Sequence, residues 1–258
     1  IKSVPYYFFL KADKNVGYIK VNSFAQATHK ELIEAVDYLI QNGAKYLMID
    51  LRSNPGGLLD QAVAVTETFL RQGLLIVYTK GRTADANQEL YSSPASAHFE
   101  EIPLIILVNE GSASGSEIVA GAIQDYDRGL IIGTPTFGKG LVQTLFPLRD
   151  GKTALALTTA KYFTPSGRII QKHFERRHGM FKYEDGTPYG FFGEKDPEDS
   201  DFNTISTRGG RIIRSDGGIY PDIIVDAEKL SPLSIKLEIN GLYFKYSVDF
   251  ITRNKQIN

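Results

Sequence analysis

Two short runs of this chain contain residue types that can perform nucleophilic chemistry. Residues 109–117 read NEGSASGSE, and residues 136–143 read TFGKGLVQ. A serine hydroxyl is a weak nucleophile that needs a base within hydrogen-bond reach. A lysine amine can be that base only when it is neutral, and burial favours the neutral form because desolvation penalises the ammonium. Ser114 before a predicted helix and Lys139 among apolar and glycine neighbours are compatible with a serine–lysine pair. A serine turn before a helix is more often an N-cap, and a lysine near glycines is more often solvated, so the residues alone leave those readings open.

Other nucleophile arrangements have less support in the sequence. The chain has no cysteine, which excludes thiol catalysis, disulfides and cysteine-ligated zinc. Ala113 occupies the centre of residues 111–115, so the Gly-x-Ser-x-Gly elbow is absent. None of the histidines lies in a recognisable catalytic context; they are His29, His98, His173 and His178. Residue patterns alone do not separate Ser112, Ser114 and Ser116, and Ser116 also suits a helix N-cap.

A phosphate-binding loop is an alternative use of the same lysine. Residues 133–139, GTPTFGK, match the first seven positions of G-x-x-x-x-G-K-[ST], and Asp50 ends a predicted strand as a magnesium-binding aspartate would. The eighth position is Gly140, so the hydroxyl that would bind magnesium is missing. A phosphate loop also opens a helix, whereas the residues after Lys139 predict a strand.

Composition narrows the class of protein. The chain has 258 residues, 42% hydrophobic and 23% charged, enough for one large domain or two small ones. Its net charge of −1 gives no electrostatic reason to expect nucleic acid as a partner. The best apolar run, residues 102–108, is too short to span a membrane, so membrane association is expected only through segments outside this chain. The chain starts with Ile1 and no leader-like segment, so we expect a mature form or an excised piece.

Hydrophobic patterning predicts alternating strands and helices. Thr28 and Glu31 have the spacing of a capping box at the start of the first helix. The alternation is typical of an α/β core with a mainly parallel sheet. Residues 141–147 and 153–163 instead predict a hairpin. Strands are predicted at residues 16–21, 46–51, 74–78, 104–108 and 130–132, and helices at about 28–43, 58–70 and 116–126.

The loops between these elements predict where a site would form. Residues 54–57 and 111–116 both follow predicted strands, and ligands of α/β sheets gather at the carboxyl ends of strands. We therefore expect the two loops to face one cleft. Residues 172–217 lack strong periodicity and are expected to form an irregular insertion. Its acidic run lacks the glycine and final glutamate of a calcium loop, which favours a solvated loop over an ion site; the run comprises Glu194, Asp196, Glu198, Asp199 and Asp201.

Four motifs in order closely resemble the carboxyl-terminal processing peptidases, the tail-specific serine proteases of family S41. They are DLRSNPGG at 50–57, GSASGSE at 111–117, GTPTFGKGLVQ at 133–143 and TPSGR at 164–168. The resemblance covers residues 15–171 and resumes at 218–225. It implies Ser114 as nucleophile, Lys139 as general base 25 residues later, and Gln143 hydrogen-bonding the lysine amine. It also implies an oxyanion hole made by the main-chain amides of Gly57 and Gly115, the latter replacing a frequent alanine.

The resemblance further implies a fold, a reaction and a location. The fold is a crotonase-like spiral of strand–strand–helix units, with residues 1–171 and 218–258 as the core and 172–217 as an insertion like that of Bacteroidetes-type members. The implied activity is a serine endopeptidase that cleaves polypeptides near unstructured apolar C-terminal tails, exported to the periplasm or the outer face of the membrane. No cofactor or metal is expected.

Two alternatives to an active peptidase remain open at this point. Family members normally carry a PDZ domain before the core, and no segment of this chain matches one. A core that is inactive without its PDZ domain is therefore one alternative. The other is a non-catalytic binding protein on the same scaffold, as in the retinoid-binding repeats of the vertebrate eye.

Overall fold

The structure is a computed structural model that describes residues 2–92, 99–149, 151–172, 174–177, 180–183, 203–207, 209–215, 217–226 and 231–254. It divides into two compact units, Ile1–Val225 and Asp226–Asn258. His98, His173, His178 and the acidic run within residues 194–201 lie outside the described residues.

The helices and strands are numbered in chain order. The strands are β1 (Tyr6–Phe9), β2 (Val16–Lys20), β3 (Tyr46–Asp50), β4 (Leu75–Gly81), β5 (Gln88–Tyr91), β6 (Leu104–Val108), β7 (Leu130–Gly133), β8 (Leu141–Pro147), β9 (Ala154–Phe163), β10 (Phe174–Arg177), β11 (Met180–Tyr183), β12 (Thr204–Ser206), β13 (Ile212–Arg214) and β14 (Ile223–Ile224). The helices are α1 (Thr28–Gln41), α2 (Leu59–Glu67), α3 (Gly115–Asp125), α4 (Pro232–Ile239) and α5 (Leu242–Arg253), with a short 3-10 helix at Ala84–Ala86.

A six-stranded sheet with the order β1-β2-β3-β6-β7-β14 forms the centre of the larger unit. Strands β2, β3, β6, β7 and β14 pair in parallel, and β1 joins the edge antiparallel to β2. Apolar residues of this sheet and of α1, α2 and α3 form one buried cluster. The α/β architecture expected from the alternating pattern is therefore confirmed, with a sheet that is mixed rather than wholly parallel.

In helix α1 the predicted apolar spacing is confirmed, whereas the predicted capping box is not formed. The capping box predicted at its start is wrong. Glu31 instead accepts the main-chain N–H of Val4 (2.8 Å), and the hydroxyl of Thr28 accepts the N–H of Ala25 (2.8 Å). The segment before β1 thus supplies the donor that Glu31 would otherwise have sought at the helix start. The apolar residues at helical spacing are buried as predicted; they include Leu32, Ala35, Val36 and Leu39.

A second sheet with the order β5-β4-β9-β8 is antiparallel throughout. It contains the hairpin predicted after Lys139, whose strands are β8 and β9. It also contains β4, which the alternating pattern had grouped with the parallel strands. Strand β4 pairs with β5 and β9, so the interpretation of β4 as part of the parallel sheet is wrong.

The segment expected to be an irregular insertion contains two short hairpins, β10–β11 and β12–β13. The guanidinium of Arg211 fixes the second hairpin to the core. It forms ion pairs with Asp127 (2.9 Å) and Asp222 (2.7 Å) and donates to the carbonyl of Gln124 (3.0 Å). Residues near β13 are therefore held against the end of α3 by charged hydrogen bonds.

The smaller unit consists of α4 and α5, joined at Gly241, which has a φ of 61°. Neither helix contains a buried residue, and several large apolar side chains are exposed, among them Leu233, Ile239, Phe244 and Tyr246. Within the described ranges, no helix combines the length and apolar character that crossing a membrane requires.

Candidate active site

Three loops meet at one edge of the parallel sheet. Strands β3, β6 and β7 are parallel neighbours, so their carboxyl ends lie at the same edge. The loops that follow them are residues 51–58, 109–114 and 134–140. Ala113 donates its N–H to the carbonyl of Asn54 (3.0 Å), and Phe137 donates to the carbonyl of Ser112 (3.0 Å). The first two loops are in contact, as a shared cleft requires, and the lysine loop joins them. The cleft itself stays a prediction.

Asn54 holds the first loop against the serine loop. Its buried side chain donates to the carbonyl of Val21 (3.0 Å) and accepts the N–H of Gly56 (2.9 Å). Gly56 has a φ of +97°, and a Cβ on it would lie 2.7 Å from the Cβ of Ser114. Only glycine fits this contact, because any side chain would push the serine loop away.

The structure separates Ser112, Ser114 and Ser116, which residue patterns alone did not distinguish. Ser112 and Ser116 are fully buried, and their hydroxyls donate to the carbonyls of Leu51 (2.8 Å) and Asn54 (2.9 Å). Ser114 is half-buried and is itself the N-cap of α3, so the reading of Ser116 as N-cap is wrong. Ser114 also has a φ of 54°, a strained conformation that costs about 1–3 kcal/mol and that clusters at active sites.

A buried carboxylate, Glu117, connects the serine loop to the lysine loop. Its Oε2 accepts the main-chain N–H of Ser114 (2.8 Å) and of Lys139 (2.9 Å). Its Oε1 accepts the N–H of Gly138 (2.7 Å) and the hydroxyl of Thr136 (2.6 Å). The two nitrogens that share Oε2 therefore lie within about 6 Å of each other. Sequence reasoning missed Glu117, although the Ser-x-x-Glu spacing of a capping box was a signal for it.

The charge state of Glu117 follows from its donors. Burial raises the pKa of the Glu117 carboxyl, and the hydrogen bonds from Thr136, Ser114, Gly138 and Lys139 oppose that rise. The hydroxyl of Thr136 already accepts the N–H of Ile219 (2.7 Å), so it donates its proton to Glu117. All four groups around the carboxylate are therefore donors, an arrangement that fits the ionised form.

Lys139, the expected base, and Gln143, its expected partner, differ in solvent exposure. Lys139 is half-buried directly after Gly138, whereas Gln143 is exposed on β8. Among the described residues, no hydrogen bond joins the side chains of Ser114, Lys139 and Gln143. The main chains of Ser114 and Lys139 are thus brought together, and Gln143 is not hydrogen-bonded to either side chain in the described part of the chain. Catalytic hydrogen bonds are often long in structures without substrate.

Of the two amides expected to form the oxyanion hole, that of Gly115 follows Ser114 directly, and that of Gly57 follows Gly56, which packs against Ser114. Gly115 is the first residue of α3, where the helix leaves main-chain N–H groups without an internal acceptor. Gly57 lies beside Phe24, and a Cβ on it would come within 2.2 Å of the Phe24 carbonyl oxygen. Within the described part of the chain, neither amide donates to another protein group. Both are therefore available to a substrate oxygen.

A second buried carboxylate, Asp50, lies at the end of β3. It accepts hydrogen bonds from Arg52 (2.6 Å), Tyr18 (2.7 Å) and Lys20 (3.3 Å). Burial acts to raise the pKa of Asp50, but the hydrogen bonds from Arg52 and Tyr18 outweigh it and hold that pKa below its usual value. Burial and the bond to Asp50 raise the pKa of Tyr18 to about 12. The sequence analysis did not anticipate this cluster.

These contacts exclude the phosphate-loop alternative. A phosphate loop opens a helix whose N-terminus faces the anion, and Lys139 is followed by β8 instead. The carboxylate of Asp50 is already occupied by Arg52, Tyr18 and Lys20. The nucleotide-binding interpretation is therefore wrong.

The fold and site define an α/β protein with a strained serine at a strand-to-helix turn and a lysine loop bound to the same carboxylate. The sequence model of Peptidase family S41 matches residues 15–177. The chain belongs to that family.

Relatives with known names agree with this assignment. The chain is 44% identical over 175 residues to a carboxy-terminal-processing protease of Bartonella bacilliformis, a match that covers 66% of this chain and 39% of the relative. It is 43% identical over 159 residues to a carboxyl-terminal-processing protease of Synechocystis, covering 62% and 36%. The chain thus spans well under half the length of these relatives. The structure of a photosystem II D1 C-terminal processing protease is similar, with a TM-score of 0.60 and 30% identity, over 84% of this chain and 44% of that one.

Proposed function

We propose that this chain is the catalytic core of a serine endopeptidase in which Ser114 is the nucleophile and Lys139 the general base. The observation that supports this most directly is the shared carboxylate oxygen of Glu117, which holds the main chains of both residues together. The strained φ of Ser114 and the structural use of Ser112 and Ser116 single out Ser114 among the three serines.

The reaction follows from these positions. The Oγ of Ser114 attacks the peptide carbonyl carbon while its proton passes to Nζ of Lys139. The carbonyl oxygen becomes an oxyanion and accepts hydrogen bonds from the N–H groups of Gly57 and Gly115, each worth about 3 kcal/mol to the transition state. The C–N bond then breaks, and the leaving amine takes the proton from Lys139. Water, deprotonated by Lys139, hydrolyses the resulting ester and restores Ser114.

One rearrangement must precede this reaction. The side chains of Ser114, Lys139 and Gln143 are not hydrogen-bonded to one another in the described structure. The main chains of Ser114 and Lys139 both bond to Glu117, so the proposed reaction brings together two side chains whose backbones are already close. The role of Gln143, to orient the lysine amine, rests on the family resemblance.

The finer features of the proposal come from the family resemblance and from the relatives' names. We infer a crotonase-like spiral core at residues 1–171 and 218–258 with an insertion at 172–217. The substrates would be polypeptides with unstructured apolar C-terminal tails, since the relatives are named carboxyl-terminal-processing proteases. We infer export to the periplasm or the outer face of the membrane. We also infer no need for a cofactor or metal.

The unbonded Ser114, Lys139 and Gln143 side chains favour one alternative, a core that stays inactive until other parts of the protein act on it. A binding protein on the same scaffold would lack turnover altogether. Mass-spectrometric cleavage of an unstructured peptide with an apolar C-terminus, by this chain and by its Ser114→Ala variant, tests the proposal. Cleavage by the parent alone supports it. If neither cleaves, even when a PDZ domain is joined to the N-terminus of the chain, the proposal fails in favour of a binder.

A further inference from the structure

Strand β8 is an edge strand that begins two residues after Lys139. In the second sheet it has β9 as its neighbour on one side and, among the described residues, no strand on the other. An edge strand presents a row of main-chain N–H and C=O groups that can pair with a further strand. The row on β8 starts beside the proposed catalytic lysine.

The hydrogen bonds at the two ends of the hairpin show which main-chain groups face outward. Tyr162 donates its N–H to the carbonyl of Gly140 (2.7 Å), and Leu148 donates to the carbonyl of Thr153 (2.9 Å). Successive residues of an antiparallel strand point their groups alternately toward and away from the partner strand. The even-numbered residues of β8 therefore bond to β9. The odd-numbered residues point outward; they are Leu141, Gln143, Leu145 and Pro147.

This alternation is continuous along β8. The register shifts between Val142 and Gln143, and the extra residue lies on β9, because Val142 opposes Ala160 and Gln143 opposes Thr158. Pro147, which has no N–H, stands at an outward position, where a proline interrupts no bond to β9. The proline also ends the row of donors, so the free edge is short.

One face of the hairpin beside this edge is apolar and exposed. Phe146 and Leu155 oppose each other across the hairpin, and Leu157 lies two residues along β9 from Leu155. Leu148 continues the same face of β8. These four side chains retain 44–49% of their exposure. Exposed apolar groups that cluster in this way mark interaction surfaces more often than isolated ones do.

We propose that the outward edge of β8 binds the substrate polypeptide as an added strand, with apolar substrate side chains at alternate positions against the Phe146 face. This rests on the proposed peptidase function. A strand paired to Gln143 and Leu145 continues toward Lys139, so the scissile bond is presented to the reacting groups in an extended conformation. Alternate side chains of an added strand fall on one face of the sheet, which gives selectivity with a period of two residues.

The size of the edge favours a substrate over a permanent partner. Between Leu141 and Pro147 the outward positions offer only three N–H donors. A ladder this short gives weak, reversible pairing, which suits a substrate that must leave after cleavage. An edge used for stable pairing of two copies would gain from a longer run of donors without a proline at its end.

Leu145→Pro tests the edge because it removes an outward N–H without removing a bond to β9. Leu145→Ala is the matched control, since it removes the same side chain and keeps the donor. Both changes are made in the Ser114→Ala protein, and the Kd of a short fluorescein-labelled peptide with leucine at alternate positions is measured by anisotropy. We expect Leu145→Pro to bind about tenfold more weakly than Leu145→Ala. Equal affinity of the two variants would overturn the proposal.

A second measurement changes the peptide and leaves the protein intact. N-methylation of each peptide amide in turn should weaken binding at every second position, because only alternate amides of an added strand face β8. Uniform loss along the peptide, or no detectable binding, would overturn the proposal. The proposal would also be overturned if Leu145→Pro changed the elution volume of the protein in size-exclusion chromatography but left its affinity for the peptide unchanged. That result would assign the edge to a second copy of the chain. If the alternating pattern is found but the peptide is never cleaved, even when a PDZ domain is joined to the parent chain, the edge assignment stands and the peptidase proposal fails.

Discussion

Two buried carboxylates lie at the same edge of the sheet and have opposite surroundings. Glu117 accepts from three main-chain amides and one hydroxyl. Asp50 accepts mainly from the side chains of Arg52, Lys20 and Tyr18, with one further bond from the main-chain N–H of Arg52 (2.8 Å). The pKa of Glu117 is raised by burial, and that of Asp50 is lowered by its hydrogen bonds. A carboxylate bound by amides fixes where the backbone runs, while one bound by cations fixes where side chains point. We therefore expect Glu117 variants to lose activity together with stability.

The largest expected effect is that of replacing Lys139, the proposed general base, whose main chain Glu117 holds in place. Lys139→Ala should lower kcat about a thousandfold or more, because the proposed general base is lost. The free energy of unfolding should change by less than about 0.5 kcal/mol, since Lys139 is bound to Glu117 through its backbone N–H, which alanine retains. Single-turnover cleavage assays and urea denaturation check the two halves. A variant that cleaves as fast as the parent would remove lysine from the mechanism.

Glu117→Gln should reduce both activity and stability. One carboxylate oxygen becomes an amide nitrogen, a donor that faces donors, so at least two hydrogen bonds are lost. We expect about 2–4 kcal/mol of lost unfolding free energy and about a hundredfold lower kcat/KM, because the serine and lysine loops separate. Glu110→Gln is the control, an exposed glutamate on the serine loop that should tolerate the same change. Full activity in Glu117→Gln would show that the loops need no shared acceptor.

Asp50→Asn should affect stability in a way that depends on pH. The lowered pKa of Asp50 means that its contribution is present above the ordinary carboxyl pKa and is lost as the pH falls through the folded-state value. At pH 7 the variant should lose about 2 kcal/mol, because the charged hydrogen bonds from Lys20 and from the exposed Arg52 lose their buried anion. The difference should shrink below about pH 4. Urea denaturation of both proteins across this pH range measures the difference in their free energies of unfolding. A difference that stays constant with pH would contradict the assignment.

The smallest effect is expected for Tyr18→Phe, which removes one hydrogen bond to Asp50. We expect about 1 kcal/mol of lost stability at neutral pH. Because the pKa of Tyr18 is raised from 10.0 to about 12, the folded protein keeps this proton over an interval where the unfolded chain releases it. The parent's advantage over the variant is therefore complete below pH 10 and declines toward pH 12. Thermal melts at alkaline pH measure this decline, and parallel curves for the two proteins would refute it.

Sequence reasoning succeeded where the local signal and the global fold agree. Apolar strands followed by Asn54 and by Ser114 were enough to place the two loops at one sheet edge. The break in pattern after Lys139 was enough to predict the β8–β9 hairpin. In both cases the relevant periodicity lies within a few residues of the element it describes.

The failures involve residues whose partners are distant in the chain. Glu31 was assigned to a local cap but bonds to Val4, and β4 was grouped with the parallel strands although its partners are β5 and β9. Glu117 resembles an ordinary helix-start glutamate until the lysine loop, some twenty residues later, is placed against it. Long-range acceptors of this kind leave only a weak local signature.

The shared oxygen of Glu117 couples the opening of the serine loop to the opening of the lysine loop. The amide hydrogens of Ser114 and Lys139 end on one atom, and that of Gly138 ends on the neighbouring oxygen. Moving the lysine loop away would let water reach the carboxylate and would weaken its hold on the serine amide. The three amides should therefore exchange with deuterium as a single cooperative unit, with one opening free energy for both halves of the site. Each opening that exposes the lysine loop would therefore also release the Ser114 amide from its acceptor.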